Sequence, residues 1–261
     1  MKLAVSGKGG VGKTTLSALL AQAYADAGRD VLAVDADPSP CLAGALGFPP
    51  ELRAGLKPVS EMDALIEERT GAKPGTVGGF FTINPRVDDI PERFSVRHRG
   101  VRLLEMGAVD LGGSGCICPE SAMLKTLMTH LLFRKDEILI LDMYAGVEHL
   151  GRATVDFVDA MLVVVEPTQR SLGTAAQIKK LANDIGLQRL YLVGNKVRNE
   201  DEAEFLRTHT PGMPVLGFLP ANLRVQEADR LNIPVYDYVP DLKAAVEHIV
   251  NELETYLARQ S

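Results

Sequence analysis

Residues 7–14 read Gly7-Lys8-Gly9-Gly10-Val11-Gly12-Lys13-Thr14, and this stretch decides the fold. It fits the phosphate-binding pattern of glycine, any four residues, glycine, lysine, and serine or threonine. The short apolar run Leu3-Ala4-Val5 before it predicts a buried strand, and apolar residues at helical spacing follow it as far as Gly28. Strand, glycine-rich loop and helix in this order are the setting that such a loop requires.

The residue types in the loop suit phosphate chemistry. Glycines let successive backbone N–H groups curl around an anion, and the following helix adds the positive end of its dipole. Lys13 is predicted to reach the β- and γ-phosphates, and the Thr14 hydroxyl to ligate Mg²⁺. The predicted nucleotide contacts here are Gly9, Gly10, Val11, Gly12, Lys13, Thr14 and Thr15.

Composition limits the classes of partner. The 261 residues carry a formal net charge of −6, which argues against general binding of nucleic acid. No apolar run reaches the roughly 18 residues of a membrane span, and no signal-peptide pattern precedes the first strand. We therefore expect a cytoplasmic protein that contacts neither membrane nor nucleic acid.

Acidic residues follow two further apolar runs. Val31-Leu32-Ala33-Val34 leads to Asp35 and Asp37, and Ile138-Leu139-Ile140-Leu141 leads to Asp142. Open parallel sheets bind ligands at the carboxyl ends of their strands. An acid that ends such a strand is the Walker-B arrangement, so Asp142 is predicted to hold Mg²⁺, directly or through water.

Lys8 gives the loop a second, less common feature. The run Lys8 to Thr14 resembles the deviant loop of the ParA/MinD-like ATPases, whose members include the nitrogenase iron protein. The resemblance implies that Lys8 crosses a dimer to the partner's phosphates. It also implies that Asp37 orients the attacking water and that Asp35 supports the Mg²⁺ shell, so the predicted catalytic residues are Lys8, Lys13 and Asp37.

The predicted fold is α/β, a three-layer P-loop NTPase with helices on both sides of a mostly parallel twisted sheet. Residues 1–261 are expected to form one ATPase domain, with an irregular insertion at about 47–115. Within the insertion we predict a helix capped by Ser60 and strands at 80–83 and 101–104. The arginines of its second half are interpreted as a solvated face, with an acidic partner surface as the alternative.

A strand over 190–193 leads to Gly194-Asn195-Lys196-Val197-Arg198. Guanine-binding proteins place an aspartate where this chain has Arg198, and a guanidinium would repel the N–H donors of guanine. Asn195 is predicted to contact the base through its amide, which favours adenine. The family resemblance adds Pro220 and the loop after it as the other base contact.

Cys116 and Cys118 stand one residue apart in a glycine-rich loop. Residues i and i+2 of an extended segment point the same way, so both sulfurs can meet one metal ion. Two thiolates do not complete a tetrahedral site, but a two-fold axis near the loop would supply four. That site suits Zn²⁺ or an iron–sulfur cluster, or Ni²⁺ if flattened. Cys41, beside Leu42, is interpreted as a small buried side chain.

The whole chain is similar to one branch of the family, the CooC-type ATPases, which help to insert nickel into carbon monoxide dehydrogenase. Residues 113–120 and 148–152 carry this resemblance. It implies a homodimer, ATP and Mg²⁺ as cofactors, one Ni²⁺ or Zn²⁺ per dimer, and a nickel enzyme as client. A sister branch that serves acetyl-CoA synthase is similar.

The sequence is also compatible with two other functions. An ATP-dependent iron–sulfur reductase like the nitrogenase iron protein also shares a cluster between chains, but its two cysteines lie on well-separated loops. A positioning ATPase that binds DNA or membrane is disfavoured by the acidic charge balance. The C-terminal amphipathic helix contains Glu247, Glu252 and Glu254, and is predicted to pack on the core.

Overall fold

The computed structural model describes residues 1–76, 80–107, 118–134, 137–144 and 155–259. Its strands are β1 (Lys2–Gly7), β2 (Val31–Ala36), β3 (Val96–His98), β4 (Val101–Glu105), β5 (Ile138–Met143), β6 (Ala160–Val165), β7 (Leu190–Val197) and β8 (Val215–Pro220). Its helices are α1 (Lys13–Asp26), α2 (Leu42–Ala45), α3 (Pro50–Arg53), α4 (Asp63–Thr70), α5 (Ile90–Phe94), α6 (Pro119–Phe133), α7 (Gln169–Ile185), α8 (Glu200–Thr208), α9 (Arg224–Leu231), α10 (Val235–Tyr238) and α11 (Pro240–Ala258). Short 3₁₀ helices span Val59–Glu61 and Val155–Phe157.

The described strands form one sheet in the order β3-β4-β2-β5-β1-β6-β7-β8. All neighbours are parallel except β3 and β4, which are antiparallel. Asp142 on β5 is in register with Val5 on β1 and with Asp35 on β2. The phosphate loop and both acid-ended strands therefore meet at one edge of the sheet, as expected for an open parallel sheet.

Alternating residues of each central strand face two separate hydrophobic cores. On β1, Leu3 and Val5 belong to the core under α1 and α11, whereas Ala4 belongs to the core under α6 and α7. The central strands are apolar on both faces because helices cover both. The predicted three-layer α/β fold is confirmed. The helix α11 packs its apolar stripe against the sheet, as predicted.

Residues of the predicted insertion contribute β3 and β4 to the sheet, and the strand predicted at 101–104 is confirmed as β4. The strand predicted at 80–83 is wrong: this segment is irregular, and Phe80 is fully exposed. The helix predicted to be capped by Ser60 is α4, and it begins only at Asp63 after Met62. Ser60 instead donates its backbone N–H to Met106, which ties this segment to the end of β4.

The arginine-rich part of this region is neutralised within the chain. Arg97 and Arg102 each contact Asp30 at 3.1 Å, and Arg69 and Arg93 share Asp89 at 2.8 Å. These ion pairs favour the interpretation as a solvated face over an acidic partner surface. Among the helices in the described part of the chain, none combines the length and apolar composition that a bilayer crossing requires.

Candidate functional site

The phosphate loop joins β1 to α1, and two of its glycines have little room for a side chain. Gly12 has φ of 98°, and a Cβ there would lie 2.1 Å from Asn195 Nδ2. A Cβ on Gly7 would lie 2.5 Å from the carbonyl oxygen of Val164 on β6. The glycines that the motif demands are thus also required by close approach to the strands beside the loop.

The two lysines of the loop differ in their surroundings. Lys13 is buried, and its Nζ donates to the Lys8 carbonyl oxygen at 3.4 Å, across the turn of the loop. The side chain of Lys8 is exposed on the outside of the loop. This arrangement suits the predicted roles, in which Lys13 serves the chain's own nucleotide and Lys8 reaches another.

Asn195 contacts the phosphate loop directly. Its Nδ2 donates to the Val11 carbonyl oxygen at 2.7 Å, and its Oδ1 accepts from the Lys196 backbone N–H at 2.8 Å. Asn195 is buried, and both ends of its amide are bound to backbone. In the structure this amide holds the phosphate loop, and its contact with the base stays a prediction.

The predicted base contacts line a cavity of about 440 Å³ beside the N-terminal end of α1. Thr15, Asn195 and Pro220 all contribute to its wall, and its volume is in the range of small-molecule sites. Arg198 also lines it, and the guanidinium Nε donates to Glu202 at 2.7 Å. The cavity adjoins the phosphate loop, because Gly12 of the loop also lines it.

Asp142 is the buried acid of the site. The hydroxyls of Thr14 and Ser17 hydrogen-bond to its carboxylate, with Ser17 Oγ 3.0 Å from Oδ1. Burial raises the pKa of Asp142 from 3.8 to about 7, because the charged form is desolvated, and the nearby Asp35 carboxylate adds to the shift. A carboxylate and two hydroxyls form the hard oxygen donor set that Mg²⁺ prefers.

Asp35 is fully buried, and its carboxylate is occupied by backbone N–H groups. Oδ2 accepts from Cys41 and Leu42 at 2.9 Å, and Oδ1 accepts from Asp37 at 3.1 Å. Burial raises the pKa of Asp35, and these three hydrogen bonds oppose the rise. Asp35 therefore organises the loop after β2.

Asp37 stands at the start of that loop and is half-buried. Its Oδ1 accepts from the Ser39 backbone N–H at 2.8 Å, which leaves the second carboxylate oxygen for other partners. This half-exposed carboxylate follows β2, at the same edge of the sheet as the phosphate loop, and has the access to water that the predicted role requires.

The cysteines are placed only in part. Cys116 lies outside the described residues, as does the 148–152 segment. Cys118 directly precedes α6, and its Sγ donates to Ser121 Oγ at 3.0 Å. The interpretation of Cys41 as a buried side chain is wrong, because this thiol is exposed and contacts the Ser39 carbonyl oxygen at 3.2 Å. Within the described ranges, no three His, Cys, Asp or Glu side chains are grouped to hold a metal ion.

The sequence reasoning missed three residues of this site: Ser17, Lys196 and Glu166. Ser17 follows Thr14 by three positions on α1, so helical spacing alone places both hydroxyls on one face. Glu166 directly follows β6, and Lys196 lies near the end of the neighbouring β7. Lys196 Nζ contacts both Glu166 and the Gly10 carbonyl oxygen. No local pattern of the sequence indicated that contact.

The chain is similar to known nucleotide-binding proteins over most of its length. The sequence profile of the CobQ/CobB/MinD/ParA nucleotide-binding domain matches residues 2–235. The carbon monoxide dehydrogenase accessory protein CooC of Rhodospirillum rubrum is 46% identical over 240 residues, which are 92% of this chain and 91% of that one. An uncharacterized ATP-binding protein of Methanocaldococcus jannaschii is 47% identical over 250 residues, 95% of this chain and 94% of that protein.

Solved structures share the fold at lower identity. The septum site-determining protein MinD of Pyrococcus horikoshii, complexed with Mg-ADP, has a TM-score of 0.67 at 21% identity and covers 99% of this chain and 98% of its own. The MinC:MinD complex of Aquifex aeolicus has a TM-score of 0.69 at 19% identity, over 97% and 95% of the two chains. These likenesses establish the architecture of the sheet and its helices.

Proposed function

Since the chain belongs to the CobQ/CobB/MinD/ParA nucleotide-binding family and is an ATPase of that family, we propose that it matures carbon monoxide dehydrogenase by assisting nickel insertion. One observation carries the client assignment: the 46% identity to a carbon monoxide dehydrogenase accessory protein extends over 92% of the chain. In this proposal residues 1–261 act as one ATPase domain.

The nucleotide part of the proposal follows from the site at the edge of the sheet. Lys13 and the loop amides bind the phosphates of ATP, and the cavity lined by Thr15 and Pro220 takes the adenosine. The Thr14 hydroxyl and Asp142 would hold Mg²⁺, which neutralises charge on the phosphates during phosphoryl transfer. Asp37 orients the attacking water, and Asp35 fixes the loop that carries Asp37.

The metal part of the proposal depends on a second copy of the chain. Cys118 stands at the N-terminal end of α6, a helix of 15 residues. Together with Cys116 it gives two thiolates per chain, so a two-fold dimer presents four to one Ni²⁺ or Zn²⁺ ion. In this proposal Ni²⁺ at that site is the cargo for the client enzyme.

The two parts are coupled through the dimer. Lys8 is exposed and crosses to the partner's nucleotide, so ATP stabilises the closed dimer and with it the four-thiolate site. Hydrolysis removes the γ-phosphate that Lys8 contacts, which loosens the dimer and releases the ion. Because both ligands favour the same dimer, each raises the affinity of the protein for the other.

The experiment is a titration of anaerobic, reduced protein with Ni²⁺ and with Zn²⁺, with molar mass followed by light scattering. We expect one ion per two chains, and a thiolate-to-nickel absorption band that the variant Cys116→Ala/Cys118→Ala lacks. Cys41→Ala is the matched control, because Cys41 is the chain's third cysteine and its exposed thiol is not part of the proposed site. The double variant should still bind ATP.

Other results would indicate a different function or a different client enzyme. Iron and sulfide in the anaerobically purified protein would favour the reductase, and loss of ATP binding in the double cysteine variant would make the loop structural. The client is tested separately, by adding the protein with ATP and Ni²⁺ to nickel-free carbon monoxide dehydrogenase. Activation of acetyl-CoA synthase in its place would move the client to the sister branch.

A further inference from the structure

Lys196 joins three segments that are far apart in sequence. Its Nζ donates to the Gly10 carbonyl oxygen in the phosphate loop at 2.8 Å and to Glu166 Oε1 at 2.5 Å. Glu166 directly follows β6, and Lys196 lies near the end of β7. The ammonium group is therefore a bridge between the ends of two strands and the loop that binds phosphate.

The backbone at Lys196 departs from regular strand geometry. Its φ is 58°, a left-handed conformation that non-glycine residues rarely adopt, and the register of β7 with β8 shifts between Gly194 and Val197. In a regular strand, adjacent side chains point to opposite faces. Here the irregularity lets two adjacent residues, Asn195 and Lys196, both reach the phosphate loop. Such conformations persist where surrounding contacts hold them, often at functional sites.

The side chains of Lys196 and Asn195 bind adjacent carbonyl groups of the phosphate loop. Lys196 binds the Gly10 carbonyl oxygen and Asn195 binds that of Val11, while Lys13 binds that of Lys8. A loop that cradles an anion must present its N–H groups and turn its carbonyl groups away. The hydrogen bonds from Lys196 and Asn195 therefore fix the orientation of two of the loop's carbonyl groups, those of Gly10 and Val11.

The ion pair is poorly placed to stabilise the fold as a whole. The side chain of Lys196 is 51% exposed and that of Glu166 is 29% exposed. Exposed pairs of this kind contribute little to the free energy of unfolding. Glu166 itself is held by its backbone, since its N–H donates to Ser171 Oγ at 3.0 Å at the start of α7. The pair thus gives the ammonium a fixed position over Gly10.

We infer that Lys196 is a positioning residue for the phosphate loop, and that Glu166 acts through it by fixing the ammonium group. The inference rests on the nucleotide site of the proposed function but is independent of nickel and of the client. It predicts that loss of the ammonium group weakens the binding of nucleotide phosphates and raises KM for ATP more than it lowers kcat.

The test compares Lys196→Asn, Lys196→Arg and Glu166→Gln in the full chain, with Kd for ADP and ATP measured by displacement of a fluorescent ADP analogue. Asparagine tolerates the left-handed backbone, so Lys196→Asn removes the ammonium group without adding strain. We expect Lys196→Asn to weaken both nucleotides about tenfold, the loss of one charged hydrogen bond. Lys196→Arg should restore most of the affinity, and the melting temperature should change little.

Lys243→Asn is the matched control, because it breaks another exposed pair, that of Lys243 with Asp26, away from the loop. If Glu166 acts through Lys196, the variant Glu166→Gln/Lys196→Asn binds ADP no more weakly than Lys196→Asn alone. Unchanged affinity for ADP in Lys196→Asn, or additive losses of affinity in the double variant, would overturn the inference. If the wild type binds ADP in the same assay, the nucleotide site of the proposed function still stands. Failure of the wild type to bind ADP would overturn the nucleotide site itself and this inference with it.

Discussion

Asp35 and Asp142 lie directly opposite each other on the adjacent parallel strands β2 and β5, and both are buried. Their surroundings separate their roles. Three backbone N–H groups occupy the carboxylate of Asp35, whereas Asp142 faces the hydroxyls of Thr14 and Ser17. One acid therefore shapes a loop, and the other is placed to bind a cation beside the phosphates.

The first prediction concerns Asp142 in protein free of Mg²⁺ and nucleotide. Its folded-state pKa of about 7 lies above the ordinary value of 3.8, so the folded protein keeps a proton that the unfolded chain loses. Stability should therefore fall as pH rises from about 4 to 7 and level off above that. Asp142→Asn removes this loss, and at pH 8 should be more stable than the wild type by at most about 4 kcal/mol.

Urea unfolding at pH 5 and pH 8 measures this difference, and hydrolysis assays should find the same variant inactive with MgATP. If Asp142→Asn is less stable than the wild type at pH 8, burial of the charged carboxylate does not destabilise the folded protein as its raised pKa implies.

The second prediction separates Asp35 from Asp37. Asp35→Asn replaces an accepting oxygen by an NH₂ group that faces backbone donors, and should cost about 1–3 kcal/mol of unfolding free energy. Asp37→Asn keeps an oxygen for the Ser39 N–H, so stability should change by no more than about 0.5 kcal/mol. Hydrolysis in Asp37→Asn should nevertheless fall about 100-fold, as for loss of a residue that directs the attacking water.

Thermal unfolding and steady-state ATP hydrolysis of both variants test these expectations. Equal loss of stability, or full activity in Asp37→Asn, would contradict the division of roles.

The third prediction compares two glycines of the phosphate loop. Gly12→Ala places a Cβ 2.1 Å from Asn195 Nδ2 at a φ of 98°, and should cost about 2 kcal/mol or more and abolish ATP binding. Gly9→Ala is the control for stability, because no atom lies within 4 Å of its added Cβ and its φ is not in the left-handed region. Chemical denaturation of the two proteins should differ accordingly, and similar midpoints would rule out the steric argument.

The fourth prediction tests whether Asn195 holds the loop or reads the base. Asn195→Ala leaves the buried Val11 carbonyl oxygen without its donor, and should cost about 1–3 kcal/mol. If the amide acts on the loop, affinities for ATP and GTP fall by the same factor. A change in the ratio of the two affinities would instead assign Asn195 to the base. Asn183→Ala, at an exposed position on α7, is the control for a general effect of the substitution.

Much of the site could be predicted because its parts are local in sequence. The glycine pattern of residues 7–14 and the acids that end β2 and β5 follow from short-range periodicity and turn chemistry. The wrong strand prediction at 80–83 also came from a local pattern. Aromatic and β-branched residues at 80–83 satisfy a strand pattern, but none of the described strands pairs with them, and propensity gives way to tertiary context.

By itself, the sequence determined the phosphate loop, the alternation of strands and helices, and hence the α/β fold, because each depends on residues within one element. Only the tertiary structure decided which groups hold the loop. Asn195 and Val11 are 184 positions apart, and β7 is not a neighbour of β1 in the sheet. Hydrogen bonds across strand ends depend on strand order and on a backbone irregularity at Lys196. Neither leaves a periodic signal in the chain.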